Sequence, residues 1–151
     1  MKKILIFTAT YNEVNNIEKL IYKIKNSCSD TDILIVDDNS PDGTGKLLKE
    51  KEQKDSKLNV IVRAEKLGLD TAHKLAYDYA ITNDYDCLIT MDADLSHNPS
   101  EIPNFVKHIN NNDFVLGSRY MTGGRNKIGL LRFLLSYFGN KFIKNVLNIK
   151  C

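Results

Sequence analysis

Five short apolar runs alternate along the chain with five segments whose apolar residues recur at helical spacing. The apolar runs cover residues 3–9, 32–37, 59–63, 86–91 and 113–117, and the helical segments cover about 14–27, 41–54, 70–83, 99–111 and 128–148. This alternation predicts the element order βαβαβαβαβα. Because strands joined through helices run parallel, we expect an α/β fold with a mainly parallel sheet, helices on both faces and right-handed crossovers.

Three of the predicted helices begin with a capping signal. Ser40 and Asn98 are each followed by a proline, which pairs an N-cap side chain with Pro at the first helical position. Asp70 is a candidate cap for the third helix. These signals place the polar and acidic loops at strand-to-helix junctions.

The last helical segment, over residues 128–149, differs from the others in its charge. Its apolar residues form one broad face, and a second face carries Arg132, Ser136, Asn140 and Lys144. A basic amphipathic helix of this kind either covers the core of a domain or lies on an anionic membrane surface. Periodicity alone favours the first interpretation.

The length and the cysteines limit the class of protein. With 151 residues, 42% of them hydrophobic, the chain has the size of one globular domain, and we expect a single domain over 1–151. The apolar start over 3–9 is too short for a signal peptide, and no run approaches the roughly 18 apolar residues of a membrane span. Cys28, Cys87 and Cys151 predict neither a disulfide framework nor a zinc site, which favours a reducing, cytoplasmic compartment.

The formal net charge of +2 conceals an asymmetry along the chain. Residues 1–113 hold all nineteen acids and fourteen Lys and Arg, whereas residues 114–151 hold seven Lys and Arg and no acid. The C-terminal part is therefore suited to anionic ligands.

Two of the apolar runs end in closely spaced carboxylates. The fourth run leads into Asp92 and Asp94, and the second closes on Asp37 and Asp38. Ligands of open parallel sheets bind outside the carboxyl ends of the strands, so both acidic ends are expected to face one crevice. Two carboxylates at strand-end spacing can hold one Mg²⁺ and leave coordination positions for phosphates.

Other phosphate-handling and catalytic motifs are absent from the sequence. It has no Gly-rich P-loop and no G-x-G-x-x-G, which argues against an NTPase or a nicotinamide enzyme. It also has no Ser nucleophile elbow. The acidic strand ends are therefore the leading candidates for the chemistry.

Five motifs occur in an order that resembles the GT-A glycosyltransferases of family 2, and among them the dolichol-phosphate mannosyltransferases (polyprenol monophosphomannose synthases). The motifs are Thr10-Tyr11-Asn12-Glu13, Val36-Asp37-Asp38-Asn39-Ser40-Pro41-Asp42-Gly43-Thr44, Lys66-Leu67-Gly68-Leu69-Asp70-Thr71-Ala72, Met91-Asp92-Ala93-Asp94-Leu95-Ser96-His97 and Gly117-Ser118-Arg119-Tyr120. The resemblance implies a Rossmann-like GT-A fold. It also implies inverting transfer of mannose from GDP-mannose to dolichyl or polyprenyl phosphate with Mg²⁺ or Mn²⁺.

The resemblance assigns the nucleotide of the donor to the first two strand ends. Ala9, Tyr11 and Glu13 would contact the nucleotide, and Val36 and Asp38 would complete the base and ribose pocket. Viewed without the resemblance, Tyr11 is interpreted as an aromatic at the edge of the core and Glu13 as an acid favoured in the first turn of a helix.

The resemblance assigns the metal and the sugar diphosphate to the fourth strand end. Asp92, Ala93 and Asp94 would contact the donor, and Asp92 and Asp94 would hold the metal. Ser96 stands where some relatives offer a further metal ligand. Asp94 and Arg119 would be the catalytic residues.

The acceptor side is assigned to the basic end of the chain. Arg119 would contact donor or acceptor phosphate, and Arg132 and Ser136 look like the acceptor-phosphate pair, since residues at i and i+4 share a helix face. A phosphate monoester already carries about −1.5 to −2 charge at neutral pH, so the nucleophile needs no general base. Direct displacement would invert the anomeric carbon.

Without the resemblance, several residues are interpreted as structural or as ordinary surface residues. Asp37 is expected to bond the turn that follows its strand, and Arg119 alone would be an ordinary surface residue. His73, His97 and His108 show no partner pattern, so we predict no catalytic role for them.

The sequence departs from the family pattern at Ala9, where Pro is usual, and at Asp70, where Gly is usual. Relatives also continue beyond residue 151, so we expect the C-terminal part of the family domain to be missing here. Two alternatives therefore stay open: a non-catalytic or split nucleotide-sugar-binding module that needs a partner chain, and a related transferase with a UDP-hexose donor. The acceptor implies a peripheral location at the cytoplasmic face of a membrane.

Overall fold

A computed structural model describes residues 2–118 and 129–146, the side chains of 130–132 and 145–146 excepted. The chain divides into two compact units, Met1–Val115 and Leu116–Cys151. The single domain expected over 1–151 stays a prediction.

The first unit is an open parallel α/β sheet with its helices. Its elements are β1 (Ile4–Thr10), α1 (Ile17–Ser27), β2 (Asp32–Asp37), α2 (Thr44–Glu52), β3 (Leu58–Val62), α3 (Leu69–Thr82), β4 (Cys87–Thr90) and α4 (Ile102–Ile109), which follows a 3-10 turn at Pro99–Glu101. The strand order is β3-β2-β1-β4, and every neighbouring pair is parallel. The predicted parallel sheet is confirmed for these four strands.

Helices cover both faces of the sheet, as predicted. Alternate residues of each strand point to opposite faces, so Ile6 and Ile33 pack with α1, α2 and α4, while Phe7 and Leu34 pack with α3. α3 meets the sheet through Ala72 and other small residues spaced four apart. Because both faces are covered, the strands are almost continuously apolar, which is why they are visible in the sequence.

Two of the predicted helix starts are wrong by a few residues. The N-cap of α2 is Gly43, with φ of +92°, and not Ser40. The N-cap of α3 is Gly68, with φ of +90°, and Asp70 lies in the first helical turn. The Asn98 cap is confirmed, since its side chain accepts a hydrogen bond from the Ser100 N–H at 3.3 Å. The left-handed conformation needed at the other two starts favours glycine, which replaces a side-chain cap.

The fifth predicted strand, over 113–117, is not formed. Residues 114–118 have no regular structure, and Phe114 is 79% exposed. An apolar run indicates a tendency to be buried, but a strand forms only beside another strand. No strand among the described residues pairs with this segment.

The second unit contains α5 (Leu130–Val146), which confirms the helix predicted over 128–148. Its apolar residues Leu135, Phe138 and Phe142 are largely exposed. Within the described residues, no helix is long and apolar enough to cross a membrane. Both the core-covering and the membrane-surface interpretations of this helix therefore stay predictions.

We expect Gly45→Ala to destabilise the first unit by about 1–3 kcal/mol, the usual cost of overpacking. A Cβ at Gly45 would lie 2.9 Å from Asp37 Oδ2 and 3.3 Å from two methyl carbons of Val62. Urea unfolding followed by circular dichroism measures the change. Gly139→Ala in α5 is the matched control, because nothing lies within 4 Å of its Cβ position and alanine favours a helix. Unchanged stability of Gly45→Ala would contradict the prediction.

Candidate functional site

The candidate site lies at the carboxyl ends of the parallel strands. After β3 the chain crosses to the other side of β1, so β1 and β4 flank the point where the strand order reverses. Open α/β sheets bind their ligands at such a switch point. A cavity of about 140 Å³ opens there, and its lining includes Ala9, Leu69, His73, Asp92 and His97. The structure brings residues of the first and fourth strand ends together at this cavity, while the expectation that the acidic end of β2 faces the same crevice stays a prediction.

Asp37 is a buried structural residue, as predicted. One carboxylate oxygen accepts hydrogen bonds from the Thr10 hydroxyl at 3.0 Å and the Ser40 hydroxyl at 2.6 Å, and the other accepts from the Ser40 N–H at 3.0 Å. The Ser40 hydroxyl oxygen also accepts from the Asn12 N–H at 2.9 Å. These bonds fix the loops after β1 and β2 to each other.

Asp42 adds a second connection between the same loops. Its carboxylate accepts from the Thr44 N–H at 2.9 Å, the Thr44 hydroxyl at 2.6 Å and the Val14 N–H at 3.1 Å. The Thr44 hydroxyl in turn accepts from the Glu13 N–H at 3.1 Å. Burial raises the pKa of Asp42, but the hydrogen bonds from Thr44 and Val14 outweigh it and leave the pKa below its ordinary value. The backbone around Glu13 is therefore held by an ionised carboxylate.

Asp38 is buried against an arginine that sequence reasoning missed. Asp38 is 6% exposed, and its carboxylate forms an ion pair with the guanidinium of Arg63, which is 8% exposed. Asp38 also accepts from the Gly68 N–H at 2.9 Å, while Arg63 donates to the Thr71 hydroxyl at 2.6 Å and the Gly68 carbonyl at 2.9 Å. The pair joins the end of β2 to the start of α3. The only sequence signal was an arginine at the end of the third apolar run.

The other predicted donor residues differ in accessibility. Tyr11 is partly exposed, and the Lys66 ammonium lies 3.5 Å from the centroid of its ring, a cation–π contact. The Glu13 carboxylate accepts from the Asn16 side-chain amide at 2.8 Å. Val36 is fully buried in the core shared with α3. Contact of these residues with a donor stays a prediction.

The loop after β4 presents two carboxylates to solvent. Met91 and Ala93 are buried in the core, while the alternate residues Asp92 and Asp94 are exposed. Met91 and Ala93 anchor the backbone on both sides of Asp92, and the carboxyl groups of Asp92 and Asp94 are left exposed to solvent. Ser96, the third predicted ligand, is also exposed.

Asp94 is held in its ionised form by its own turn. The Ser96 N–H donates to Asp94 Oδ1 at 2.8 Å, and this bond is the main reason that the pKa of Asp94 lies below its ordinary value. Two exposed aspartate side chains match the oxygen ligands that Mg²⁺ and Mn²⁺ accept. In residues 2–118 and 129–146, no group of three or more His, Cys, Asp or Glu side chains could hold a metal. Besides Asp92 and Asp94, a cation here would thus need oxygens from Ser96, from a bound donor molecule or from water.

The predicted acceptor-side residues lie either outside the described residues or in α5. Arg119 is outside the described residues, and the side chain of Arg132 is not described. Arg132 and Ser136 both belong to α5, as predicted, and Ser136 is partly exposed. Their roles stay predictions.

The motifs, the strand order and the acidic loop agree with one family of known proteins. Residues 5–150 match the sequence profile of Glycosyl transferase family 2. The chain belongs to this family. The family membership and the α/β fold expected from the motifs are both confirmed.

Two curated relatives carry names that refer to mannose and a polyprenyl phosphate. The chain is 33% identical over 123 residues to the undecaprenyl-phosphate mannosyltransferase of Micrococcus luteus, a match that covers 82% of this chain and 51% of the relative. It is 35% identical over 125 residues to the polyprenol monophosphomannose synthase of Mycolicibacterium smegmatis, which covers 82% of this chain and 47% of the relative. The chain thus spans about half the length of these two relatives.

A solved structure supports the fold of the family 2 chain. The glucosyl-3-phosphoglycerate synthase of Mycobacterium tuberculosis, solved with Mn²⁺, UDP and glucosyl-3-phosphoglycerate, superposes with a TM-score of 0.54 at 19% identity. The match covers 93% of this chain and 52% of the synthase. At this identity the likeness establishes the shared fold.

Proposed function

We propose that this chain acts in a metal-dependent, inverting transfer of mannose from GDP-mannose to dolichyl or polyprenyl phosphate. The observation that carries the proposal is the exposed pair of carboxyl side chains Asp92 and Asp94 at the switch point of a parallel sheet. Membership of family 2 and relatives named as polyprenyl-phosphate mannosyltransferases support the choice of reaction.

The nucleotide of the donor is proposed to bind across the ends of β1 and β2. Tyr11 offers a partly exposed aromatic face, and Ala9 lines the cavity beside Asp92. Asp38 and Val36, both buried, would form the floor of the base and ribose pocket. Glu13 lies in the loop fixed by Asp42 and Thr44, so its position is pre-organised before a donor binds.

A Mg²⁺ or Mn²⁺ ion is the proposed cofactor. Asp92 and Asp94, with Ser96 as a further oxygen ligand, would hold it, and the donor diphosphate would complete its coordination. When bound, the metal would neutralise charge on the departing nucleotide diphosphate. The protein residues themselves position the donor beside the end of β4.

The acceptor is proposed to bind through the basic part of the chain. Arg119, Arg132 and Ser136 would orient an anionic phosphate toward the anomeric carbon, with Arg119 also close to the donor phosphates. Such alignment of two bound reactants accounts for much of the rate gain of a displacement that needs no base. Polyprenyl phosphates reside in membranes, so the proposal places the protein peripherally at the cytoplasmic face of a membrane.

A second function, a nucleotide-sugar-binding module that needs a partner chain, is favoured by one observation. The matches reach only 51% and 47% of the two curated relatives. On this alternative the first unit binds the donor, and a partner chain supplies the residues required for turnover.

The test is a transfer assay with the 151-residue chain, radiolabelled GDP-mannose, undecaprenyl phosphate in detergent and Mn²⁺. We expect label in the organic phase, dependent on the metal, and none from UDP-glucose. Calorimetry of GDP-mannose binding runs in parallel. Donor binding without transfer would favour the binding module, and transfer from UDP-glucose in place of GDP-mannose would identify a UDP-hexose enzyme.

A further inference from the structure

His97 lies against Asp92 at two points, although its sequence pattern suggested no role. The Asp92 backbone N–H donates a hydrogen bond to His97 Nδ1 at 3.1 Å. The other ring nitrogen, His97 Nε2, lies 3.5 Å from Asp92 Oδ2. One imidazole therefore faces both the backbone and the carboxylate of the same residue.

We propose that His97 is a positioning residue that holds Asp92 in place for metal binding. This inference rests on the proposed function, since it concerns the same carboxylate pair. An imidazole nitrogen that accepts a hydrogen bond carries no proton, so the contact assigns the hydrogen to Nε2, which faces the carboxylate. His97 would act on the metal through Asp92 and would not itself be a ligand.

The turn between the two residues explains how they meet. Leu95 has φ of +63°, a left-handed conformation that is rare for a bulky residue. Its side chain packs against the buried core that includes Met91 and Ala93, and this packing opposes relaxation of the turn. The reversal returns the chain toward the end of β4, where His97 reaches Asp92.

The chemistry of an imidazole suits this place. Partners that hydrogen-bond to metal ligands orient them and affect metal affinity. A neutral imidazole fixes Asp92 without adding a positive charge beside a cation, which a lysine would do. Asp94 is fixed separately, because the Ser96 N–H donates a hydrogen bond to its carboxylate at 2.8 Å. Two different residues of the same turn therefore contact the two acids.

Nuclear magnetic resonance tests the contact without any metal. Long-range ¹H–¹⁵N spectra of the ¹⁵N-labelled chain should show His97 with an unprotonated Nδ1 and a protonated Nε2. The Asp92 amide resonance should move in His97→Leu and return toward the wild-type position in His97→Asn, whose Oδ1 lies as many bonds from the backbone as Nδ1. A protonated Nδ1, or an Asp92 amide insensitive to both variants, would overturn the proposal.

Mn²⁺ affinity, measured by electron paramagnetic resonance of free Mn²⁺, tests the consequence. We expect about tenfold weaker binding in His97→Leu, the lower range for loss of a partner to a metal ligand, and recovery of most of it in His97→Asn. His108→Leu is the matched control, because His108 is an exposed histidine of α4 whose contact is the Asn104 carbonyl at 2.8 Å. Equal affinities for wild type and His97→Leu would overturn the role of His97 alone. No Mn²⁺ binding by the folded wild-type chain would overturn the proposed metal dependence, and the positioning role with it.

Discussion

Asp94→Asn is expected to lower the proposed mannosyl transfer by roughly 100-fold to 10,000-fold, the scale of several kcal/mol that metal stabilisation of a departing group supplies. An amide is neutral and binds a hard cation far less well than a carboxylate. The amide oxygen can still accept the bond from the Ser96 N–H, so the turn that carries residue 94 is expected to persist. The loss should therefore appear in transfer and in Mn²⁺ affinity, with thermal stability nearly unchanged.

Asp78→Asn is the matched control for this experiment. Asp78 is an exposed acid of α3, so the same chemical change there should leave transfer at the wild-type rate. The assay is the appearance of labelled, lipid-linked mannose in the organic phase over a range of Mn²⁺ concentrations. Wild-type activity of Asp94→Asn would show that the carboxylate pair does not carry the chemistry.

Arg63→Met is expected to destabilise the first unit by about 3–5 kcal/mol, the cost of leaving one partner of a buried ion pair uncompensated. Asp38 would be left nearly buried with its negative charge, keeping only the Gly68 N–H as a described donor. The same change removes the hydrogen bonds from Arg63 to Thr71 and to the Gly68 carbonyl, which anchor the start of α3. Urea unfolding measures the effect, and donor affinity should fall with it.

Two further variants separate the effect of leaving a buried charge unpaired from the effect of removing any ion pair. Lys57→Met breaks the ion pair between Lys57, whose side chain is 42% exposed, and Asp30, whose side chain is 69% exposed. Exposed ion pairs of this kind contribute about 0–1 kcal/mol to stability. Arg63→Met combined with Asp38→Asn removes the buried charge but keeps an acceptor for the Gly68 N–H, so it should recover part of the lost stability. If Arg63→Met cost no more than Lys57→Met, the buried pair would not stabilise the fold.

The candidate site shows which parts of a site are visible in a sequence. Asp92 and Asp94 could be predicted because their spacing and their place after an apolar run are local features, and Asp37 could be assigned to its turn for the same reason. Arg63 and His97 could not, because each contacts a residue that becomes its neighbour only through a turn or through packing of the sheet. Neither residue forms a sequence pattern with its partner.

The wrong predictions have a similar cause. Ser40 has the chemistry of a helix cap, but its hydroxyl and its N–H donate hydrogen bonds to Asp37. The helix predicted to begin at residue 41 therefore begins three residues later, at Thr44. The apolar run over 113–117 has the composition of a strand, but no described strand lies beside it. In both cases a tertiary neighbour, or the lack of one, decided between structures that are locally acceptable.

The sequence by itself determined the four parallel strands, the helices on both faces, the acidic loop after the fourth strand and the family. These follow from burial patterns and motif order, which are properties of the amino-acid sequence itself. Only the tertiary structure decided that Asp38 pairs with Arg63, that His97 contacts Asp92, and that glycines start α2 and α3. These depend on distances between residues and on backbone angles, which are fixed when the sheet brings separate loops to one edge.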